Sequence, residues 1–225
     1  MKVAVTSDLH GYLPDIQSCD VLLICGDIVP LYYQTDYIRS QVWFKSEFAR
    51  WVKDLPCEDV VIIGGNHDGF LSVVGEDEIE FSLQRPTDYK VEYLNNSYCT
   101  LVDSGLTIYG TPNCPVFGSW YFMNSEEELK DIYSKIPKGV DVLISHTPPR
   151  IGKFDVILEG NKKKCGSKAL ADAIKEKQPK YAFFGHIHSG DHNLSIPKVY
   201  TTKMANVSLL NESYKPIYPV LYLDI

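Results

Sequence analysis

Residues 2–10 read Lys2-Val3-Ala4-Val5-Thr6-Ser7-Asp8-Leu9-His10, a short apolar run followed at once by an acid and a histidine. The apolar part, residues 3–5, is too short for a free-standing helix and contains β-branched residues, so we expect a buried strand. Four further runs of this kind lie at 21–25, 60–63, 142–144 and 181–184. The repeated arrangement predicts an α/β protein in which polar side chains collect where strands end.

Polar motifs follow these runs in a fixed order and contain five of the six histidines of the chain. They are Asp8-Leu9-His10, Gly26-Asp27, Gly65-Asn66-His67-Asp68, Ser145-His146-Thr147 and Gly185-His186-Ile187-His188. Near-continuous apolar runs are typical of a mostly parallel sheet covered on both faces, whose ligands bind beyond the carboxyl ends of the strands. Any one histidine could be an ordinary loop residue, and either aspartate a turn former, but the ordered set favours one convergent site.

The composition is that of an ordinary globular protein, with 225 residues, 44% hydrophobic and 23% charged, and it predicts one domain over 1–225. We find no apolar segment that resembles a secretion signal or could cross a bilayer, so we expect a cytoplasmic protein without membrane contact. The six cysteines have no Cys-x-x-Cys spacing, which argues against a zinc ribbon and, in the cytoplasm, against disulfides.

Charge also narrows the choice of partner. The net charge of -7 disfavours long nucleic acid as a non-specific partner, and we expect no extended nucleic-acid surface. The basic triplet Lys162-Lys163-Lys164 is most simply a solvated loop. Two divalent ions would add about +4 locally against about -2 from Asp8 and Asp27, so a small anionic phosphoester would meet a positive pocket. The oligomeric state stays open.

Periodicity places the remaining elements. A crossover helix is predicted over 42–55, before Pro56, with a buried face formed by Val42, Phe44, Phe48, Trp51, Val52 and Leu55. Shorter helices are predicted over 126–135, with Ser125 as N-cap, and over 167–177. Alternation at 91–109 and 199–223 predicts the second sheet of a sandwich. The segments 30–36 and 111–124 either wall a substrate pocket or are packed loops.

The motif residues suit a two-metal hydrolytic site. Hydrolysis of a phosphate ester needs an activated water and relief of developing charge, and two metal ions about 3.5 to 4 Å apart can supply both. Asp27 is our candidate bridging ligand, because each carboxylate oxygen can serve one ion. Mixed imidazole and oxygen ligands suit Mn, Fe, Zn or Ni rather than Ca. We assign one ion to Asp8, His10 and His188, and the other to Asn66, His146 and His186.

Over about residues 2–190 the chain resembles the calcineurin-like metallophosphoesterases, whose pattern D-x-H, G-D, G-N-H-[DE], H and G-H-x-H it reproduces in order. The resemblance implies the metal assignments above and a four-layer α/β/β/α sandwich of two mixed sheets flanked by helices. It also implies that His67 does not bind metal but protonates the leaving group or stabilises the transition state, for which a neutral imidazole has a suitable pKa. A hydroxide between the two ions is expected to attack phosphorus in line.

One departure concerns the protein phosphatases of this superfamily, which carry G-D-x-x-D-R-G. Here the stretch reads Gly26-Asp27-Ile28-Val29-Pro30-Leu31-Tyr32, so the aspartate that orients the catalytic histidine and the arginine that holds phosphate are both missing. A Ser/Thr protein phosphatase is therefore disfavoured. Asp68 is left with two roles, either steadying His67 or a purely structural one.

Further pieces are similar to the small metallophosphoesterase-domain-containing proteins related to a mammalian brain cyclic-nucleotide phosphodiesterase. They are Ile108-Tyr109-Gly110-Thr111-Pro112, His146-Thr147-Pro148-Pro149, Cys165-Gly166, Gln178-Pro179-Lys180 and Phe184-Gly185-His186-Ile187-His188. The similarity implies phosphodiester hydrolysis, including that of cyclic nucleotides. The alternatives are a phosphomonoesterase or a nuclease of the same superfamily, and a non-catalytic scaffold with this fold; the complete ligand set favours an enzyme.

Two polar residues near the motifs have no assigned role. Arg150 follows the His146 motif and could meet a substrate phosphate, yet an exposed arginine after two prolines needs no special function. His192, the sixth histidine, lies outside the motif pattern and is expected on the surface.

Overall fold

The computed structural model of the chain describes residues 1–84, 90–157 and 164–225. In chain order the strands are β1 (Lys2–Thr6), β2 (Cys19–Cys25), β3 (Cys57–Ile63), β4 (Val91–Tyr93), β5 (Ser97–Thr100), β6 (Thr107–Thr111), β7 (Cys114–Pro115), β8 (Met123–Asn124), β9 (Val142–Ser145), β10 (Tyr181–Phe184), β11 (Lys203–Asn206) and β12 (Leu221–Asp224). The helices are α1 (Tyr37–Trp43), α2 (Ala49–Asp54), α3 (Glu76–Ser82), α4 (Glu126–Ser134) and α5 (Lys168–Lys177), with a π-helical turn at Phe44–Phe48 and a 3-10 turn at Gly69–Ser72.

Two five-stranded mixed sheets form the centre of the molecule. The first has the order β12-β1-β2-β3-β4, in which β12 is antiparallel to β1 and the other neighbours are parallel. The second has the order β11-β10-β9-β6-β5, in which β5 is antiparallel to β6 and the other neighbours are parallel. The strands β7 and β8 form a small separate parallel pair.

Alternate residues of each buried strand face different layers. In β2, Val21, Leu23 and Cys25 pack between the two sheets, whereas Leu22 and Ile24 pack against the helices beside the first sheet. A third cluster joins the outer face of the second sheet to α4 and α5. Because both faces of the central strands are covered, nearly every strand position is apolar. The predicted α/β/β/α sandwich is confirmed.

The predicted division of the strands between the sheets was wrong in part. The runs at 142–144 and 181–184 belong to the second sheet as β9 and β10. In contrast, β4 and β12, which were predicted in the second sheet, lie at the two edges of the first. The reason is physical: strands that are buried on both faces have the same apolar pattern in either sheet, so the pattern does not report which sheet a strand joins.

The predicted crossover helix over 42–55 begins earlier and is interrupted. It starts at Tyr37 with Asp36 as N-cap, passes through the π-helical turn and ends before Leu55. Val42, which was predicted on the buried face, is 62% exposed. A π turn inserts an extra residue per turn and rotates the apolar face, so Trp43 is buried in place of Val42.

The other two helix predictions are confirmed within a residue. Ser125 caps α4 in a capping box with Glu128, and Ser167 caps α5 by accepting the N–H of Leu170. No helix among the described residues is long and apolar enough to span a membrane. All six cysteines are free thiols. The predicted basic loop falls partly outside the described residues, which include Lys164 but not positions 162 and 163.

Candidate metal centre

Loops at the carboxyl ends of strands from both sheets meet at one edge of the sandwich. Contacts between the sheets hold them together: the backbone N–H of His186 donates to both carboxylate oxygens of Asp8 at 3.0 Å. From the second sheet, Nδ1 of His146 lies 3.0 Å from the carbonyl oxygen of Cys25 at the end of β2. The convergence gathers the predicted ligands Asp8, His10, Asp27, Asn66, His146, His186 and His188, together with His67.

Asp27 lies at the centre of this group. Its Oδ1 accepts the backbone N–H of His67 at 2.8 Å. Its Oδ2 lies 3.6 Å from Nε2 of His10, 3.8 Å from Nε2 of His67 and 3.4 Å from Nε2 of His146. One carboxylate oxygen therefore faces imidazoles from three different loops, which is the position that a bridging ligand needs.

Asp8 is the second buried carboxylate. Besides the backbone of His186, it accepts a hydrogen bond from the hydroxyl of Ser208 at 2.8 Å, and its Oδ1 lies 3.3 Å from Nε2 of His188. The Nδ1 of His188 is 2.9 Å from the carbonyl oxygen of Asn211. Since a carbonyl only accepts, Nδ1 carries the proton, and Nε2 is the nitrogen that faces the site. The Nδ1 of His146 likewise donates to the carbonyl oxygen of Cys25.

Ligand atoms of the site fall into groups that could hold a metal ion, because within each group they lie within 4.8 Å of one another. One group is Asp8, His10 and His188, and another is Asp27, His146 and His186. These match the two predicted shells apart from Asn66, whose Oδ1 lies 2.9 Å from Nε2 of His146. A third group, His10, Asp27 and His67, overlaps both and includes the residue expected not to bind metal.

Unpaired polar atoms indicate that this group suits divalent cations. Both ring nitrogens of the buried His10 and the amide nitrogen of Asn66 are buried without a hydrogen-bond partner. An unpaired buried polar atom costs about 1–3 kcal/mol, and a ring nitrogen that coordinates a metal is no longer unpaired. Two buried carboxylates beside four imidazoles form a donor set that divalent transition metals favour. The residues present therefore fit divalent metal ions.

The four histidines of the site divide into two pairs by pKa. Burial is the largest single influence and lowers the pKa of each. For His146 the carboxylates of Asp27 and Asp8 and the carbonyl of Cys25 together outweigh burial, and the pKa rises to about 9. For His188 the carboxylate of Asp8, the carbonyl of Asn211 and the charge of Glu212 together do so, and the pKa also rises to about 9. For His10 and His186 burial dominates and the pKa falls to about 4 and about 3. Burial raises the pKa of Asp27, yet His146, His67 and His10 together hold that carboxyl well below its usual range.

The backbone at the site is held in an uncommon conformation. Asp8, His10, Asp27 and His186 have φ angles of 54°, 42°, 53° and 66°, in the left-handed region. This conformation is rare for residues other than glycine and clusters at functional sites. Gly65 is needed for close approach, since a Cβ there would collide with Asp27.

The role of Asp68 is structural in this geometry. Its buried carboxylate accepts the backbone N–H groups of Ile28, Val29 and Gly65 at 2.9 to 3.1 Å. It thereby ties the loop of Asp27 to the loop of Asn66. Nδ1 of His67 has no hydrogen-bond partner among the described residues, so Asp68 does not orient the His67 ring. Trp120 contacts that ring instead, with ring centroids 4.5 Å apart.

Sequence reasoning missed three residues that support the site. Ser208 donates to Asp8, Asn211 accepts from His188, and the ring of Tyr214 meets the rings of His10 and His188 edge-on at 5.1 and 5.4 Å. All three follow β11, beyond the last motif. The signal was available for Ser208 alone, because a polar residue just after an apolar strand end is the pattern of the other motifs.

A cavity of about 520 Å³ opens beside the ligand groups. Pro115, Val116 and Phe117 line it, so the segment 111–124 contributes a wall, whereas no residue of the segment 30–36 does. The Phe117 ring lies 5.1 Å from that of His186.

His192, which was expected on the surface, is half-buried. Its ring stacks on that of Tyr218 with the ring centroids 3.6 Å apart, and it takes no part in the ligand groups.

Comparisons with solved structures support the fold. A phosphopantetheinyl hydrolase from Mycobacterium tuberculosis superimposes with a TM-score of 0.55 at 15% identity, covering 95% of this chain and 90% of that one. A protein of Thermus thermophilus superimposes with a TM-score of 0.52 at 14% identity, covering 91% of this chain and 88% of that one.

Sequence comparisons identify the family. The model of the calcineurin-like phosphoesterases matches residues 1–190. The human metallophosphoesterase domain-containing protein 1 is 30% identical over 243 residues, covering 100% of this chain and 71% of the human protein. The family implies divalent metal ions, and the His and Asp groups described above could hold them. The chain belongs to the calcineurin-like phosphoesterases, and within them to the metallophosphoesterase-domain-containing group, as a metal-dependent phosphoesterase.

Proposed function

We propose that the protein is a phosphodiesterase that uses two divalent ions, with cyclic nucleotides as the first substrates to test. Asp8, His10 and His188 would hold one ion, Asn66, His146 and His186 would hold the other, and Asp27 would be shared by both. Mn, Fe, Zn and Ni suit this mixture of imidazole and oxygen ligands. Bound divalent ions supply Lewis-acid stabilisation of phosphoryl charge and activation of water.

The observation that carries the diester preference is the wall of the cavity. Next to the ligand groups the 520 Å³ cavity is lined by Val116, Phe117 and Ile187. A diester carries one negative charge and an organic substituent on each side of phosphorus, so it needs room and apolar surface. The stretch 26–32 also has no arginine of the kind that holds phosphate in the G-D-x-x-D-R-G proteins.

His67 is the proposed catalytic residue. It lines the cavity, and its backbone N–H is fixed by Asp27 at 2.8 Å while its ring stays half-buried. In its protonated form the imidazole can deliver a proton from a ring nitrogen to the leaving oxygen and becomes neutral in doing so. The ring of Trp120 packs against that of His67 at a tilt of 51°.

The test compares bis-p-nitrophenyl phosphate with p-nitrophenyl phosphate after chelation and re-addition of Mn, Ni, Zn or Mg. We expect turnover that depends on metal and favours the diester in kcat/KM. A preference for the monoester would contradict the diesterase proposal and leave a phosphatase. A folded protein that turns over neither ester with any of these metals would favour the scaffold alternative.

A further inference from the structure

The cavity extends beyond the predicted ligands to a pair of cations. Arg150 and Lys164 line the same 520 Å³ space as Asp27, His67 and His186. Arg150 also borders a neighbouring cavity between α4 and α5 that includes none of the predicted ligands. Arg150 therefore lies on the side of the cavity that faces α4 and α5. Val116 and Phe117 supply apolar wall within the same space.

Backbone hydrogen bonds and bridges hold the main chain of Arg150 and of Lys164 in place. The N–H of Arg150 donates to the carbonyl of Ser167 at 2.9 Å, beside a bridge between Pro149 and Ser167. Lys164 forms an antiparallel bridge with Val156. Both side chains act on the same buried carboxyl, since burial raises the pKa of Asp155 while Lys164 and Arg150 oppose that rise. Backbone pairing therefore places both residues on the wall of the same cavity.

The acids in this cavity are engaged with other donors. Glu126 accepts the N–H groups of Lys168 and Ala169 at 3.1 and 2.8 Å and the hydroxyl of Ser167 at 3.2 Å, at the start of α5. Glu212 accepts the N–H and hydroxyl of Ser189. Among the ion pairs of the described residues, none involves Arg150 or Lys164.

We propose that Arg150 and Lys164 bind a second anionic group of the substrate, so that the preferred substrate is a phosphodiester that carries a further phosphate or carboxylate. This inference rests on the proposed phosphodiesterase function. The guanidinium of Arg150 can form a two-pronged hydrogen-bonded pair with such an anion, and Lys164 adds a compact charge. The apolar wall of Val116 and Phe117 accommodates the organic part between the scissile phosphate and the second anion.

Matched p-nitrophenyl esters test the inference directly. The parent is the p-nitrophenyl ester of thymidine 5'-phosphate, which has only the scissile diester. The second ester adds a 3'-phosphate, and the third adds a 3'-O-succinyl carboxylate. We expect a lower KM, by roughly tenfold for one charge-assisted contact, for at least one of the two added anions. A gain from phosphate alone identifies a phosphate site, and a gain from both identifies a general anion site.

Substitutions test whether Arg150 and Lys164 cause the lower KM of the esters with an added anion. Arg150→Gln and Lys164→Gln should each remove most of the KM advantage that the added anion gives over the parent ester measured in the same variant. Lys153→Gln is the matched control, because Lys153 is an exposed lysine of the same loop that does not line the cavity. Equal kinetics for all three esters, or an advantage that survives in both variants, would overturn the inference.

A binding measurement separates this inference from the proposed function. Calorimetry compares thymidine 3',5'-bisphosphate with thymidine 5'-phosphate on the same metal-loaded protein. Tighter binding of the bisphosphate, lost in Arg150→Gln, supports the cation pair even if none of the esters is hydrolysed, a result that would by itself refute the proposed function. Equal affinities alongside normal hydrolysis of the parent ester would refute only the cation pair.

Discussion

The predicted metal ligands beside the cavity are buried and held by hydrogen bonds, as for Asp8 and Asp27. We call this group the metal end; it consists of Asp8, His10, Asp27, Asn66, His146, His186 and His188. The second group, which we call the cation end, consists of Arg150 and Lys164, which line the same cavity and are exposed. A site that must hold its geometry before any ligand arrives needs rigid support. A site that selects among substrates can use long, solvated side chains whose positions adapt.

The histidines of the metal end differ in whether hydrogen bonds orient their rings before a metal binds. His146 and His188 are each oriented by a backbone carbonyl and paired with a carboxylate, whereas both ring nitrogens of His10 are buried without a partner. Because Nδ1 of His146 and of His188 contacts a backbone carbonyl, Nε2 of each ring faces the site. The unpaired ring loses its desolvation penalty only when a cation is bound, so metal binding should also stabilise the folded protein.

The largest expected difference between the two ends is in how turnover and metal binding respond when a buried carboxylate is replaced. Asp27→Asn should lower turnover by roughly 10³-fold or more, because Lewis-acid assistance is worth several kcal/mol. It should also abolish the rise in melting temperature when metal is added to chelated protein. Asp155→Asn is the matched change at the cation end, and we expect it to keep both turnover and the metal-dependent shift. Similar losses in both variants would remove the distinction between the ends.

A smaller but still large effect is expected at His67. His67→Ala should reduce kcat by roughly 10²-fold or more, the range for loss of a general acid, while metal content measured by plasma emission stays that of the unmodified protein. His192→Ala is the control histidine, since it lies outside the ligand groups. Full activity of His67→Ala, or loss of metal together with activity, would contradict the catalytic role.

The next largest effect is expected on metal affinity when the hydrogen bond from Ser208 to Asp8 is removed. Ser208→Ala removes a 2.8 Å hydrogen bond to a buried carboxylate, and loss of such a supporting contact weakens metal affinity by roughly 10- to 100-fold. Titration of metal into chelated protein measures this. Ser213→Ala, an exposed serine on the same segment, should bind metal normally. An unchanged affinity in Ser208→Ala would show that Asp8 keeps its position without that hydroxyl.

The smallest effect is expected at the cation end. Glu126→Gln removes the negative charge that accepts three donors at the start of α5, which should lower the free energy of unfolding by about 1 kcal/mol. Metal affinity should not change. Urea denaturation measures the loss, with the exposed neighbour Glu127→Gln as control. A coupled loss of metal affinity would mean that the two ends are not independent.

Much of the site could be predicted from the sequence because each motif follows an apolar strand, as Asp8 follows β1 and His146 follows β9. Strand ends on one side of a sheet converge whatever the strand order. For that reason the convergence was found although the assignment of β9 and β10 to a sheet was wrong. Their doubly buried pattern matches that of β1 to β3, and only the packing between sheets separates them.

Other features depended on tertiary contacts that no local pattern reports. The π-helical turn that rotates the apolar face and leaves Val42 on the surface could not be recognised in the sequence, whose spacing fits one continuous helix. The choice between two roles for Asp68 was decided by backbone N–H groups about 40 residues away. Tyr214 lies at the site through a φ angle of 55° in a segment without regular structure.

The two-ion assignment is tested most directly by anomalous diffraction at the manganese edge from crystals grown with manganese. We expect two peaks about 3.5 to 4 Å apart, one bound by Asp8, His10 and His188 and the other by Asn66, His146 and His186, with the carboxylate of Asp27 between them. A single peak, or a second peak bound by His67 instead of His146 and His186, would contradict the assignment.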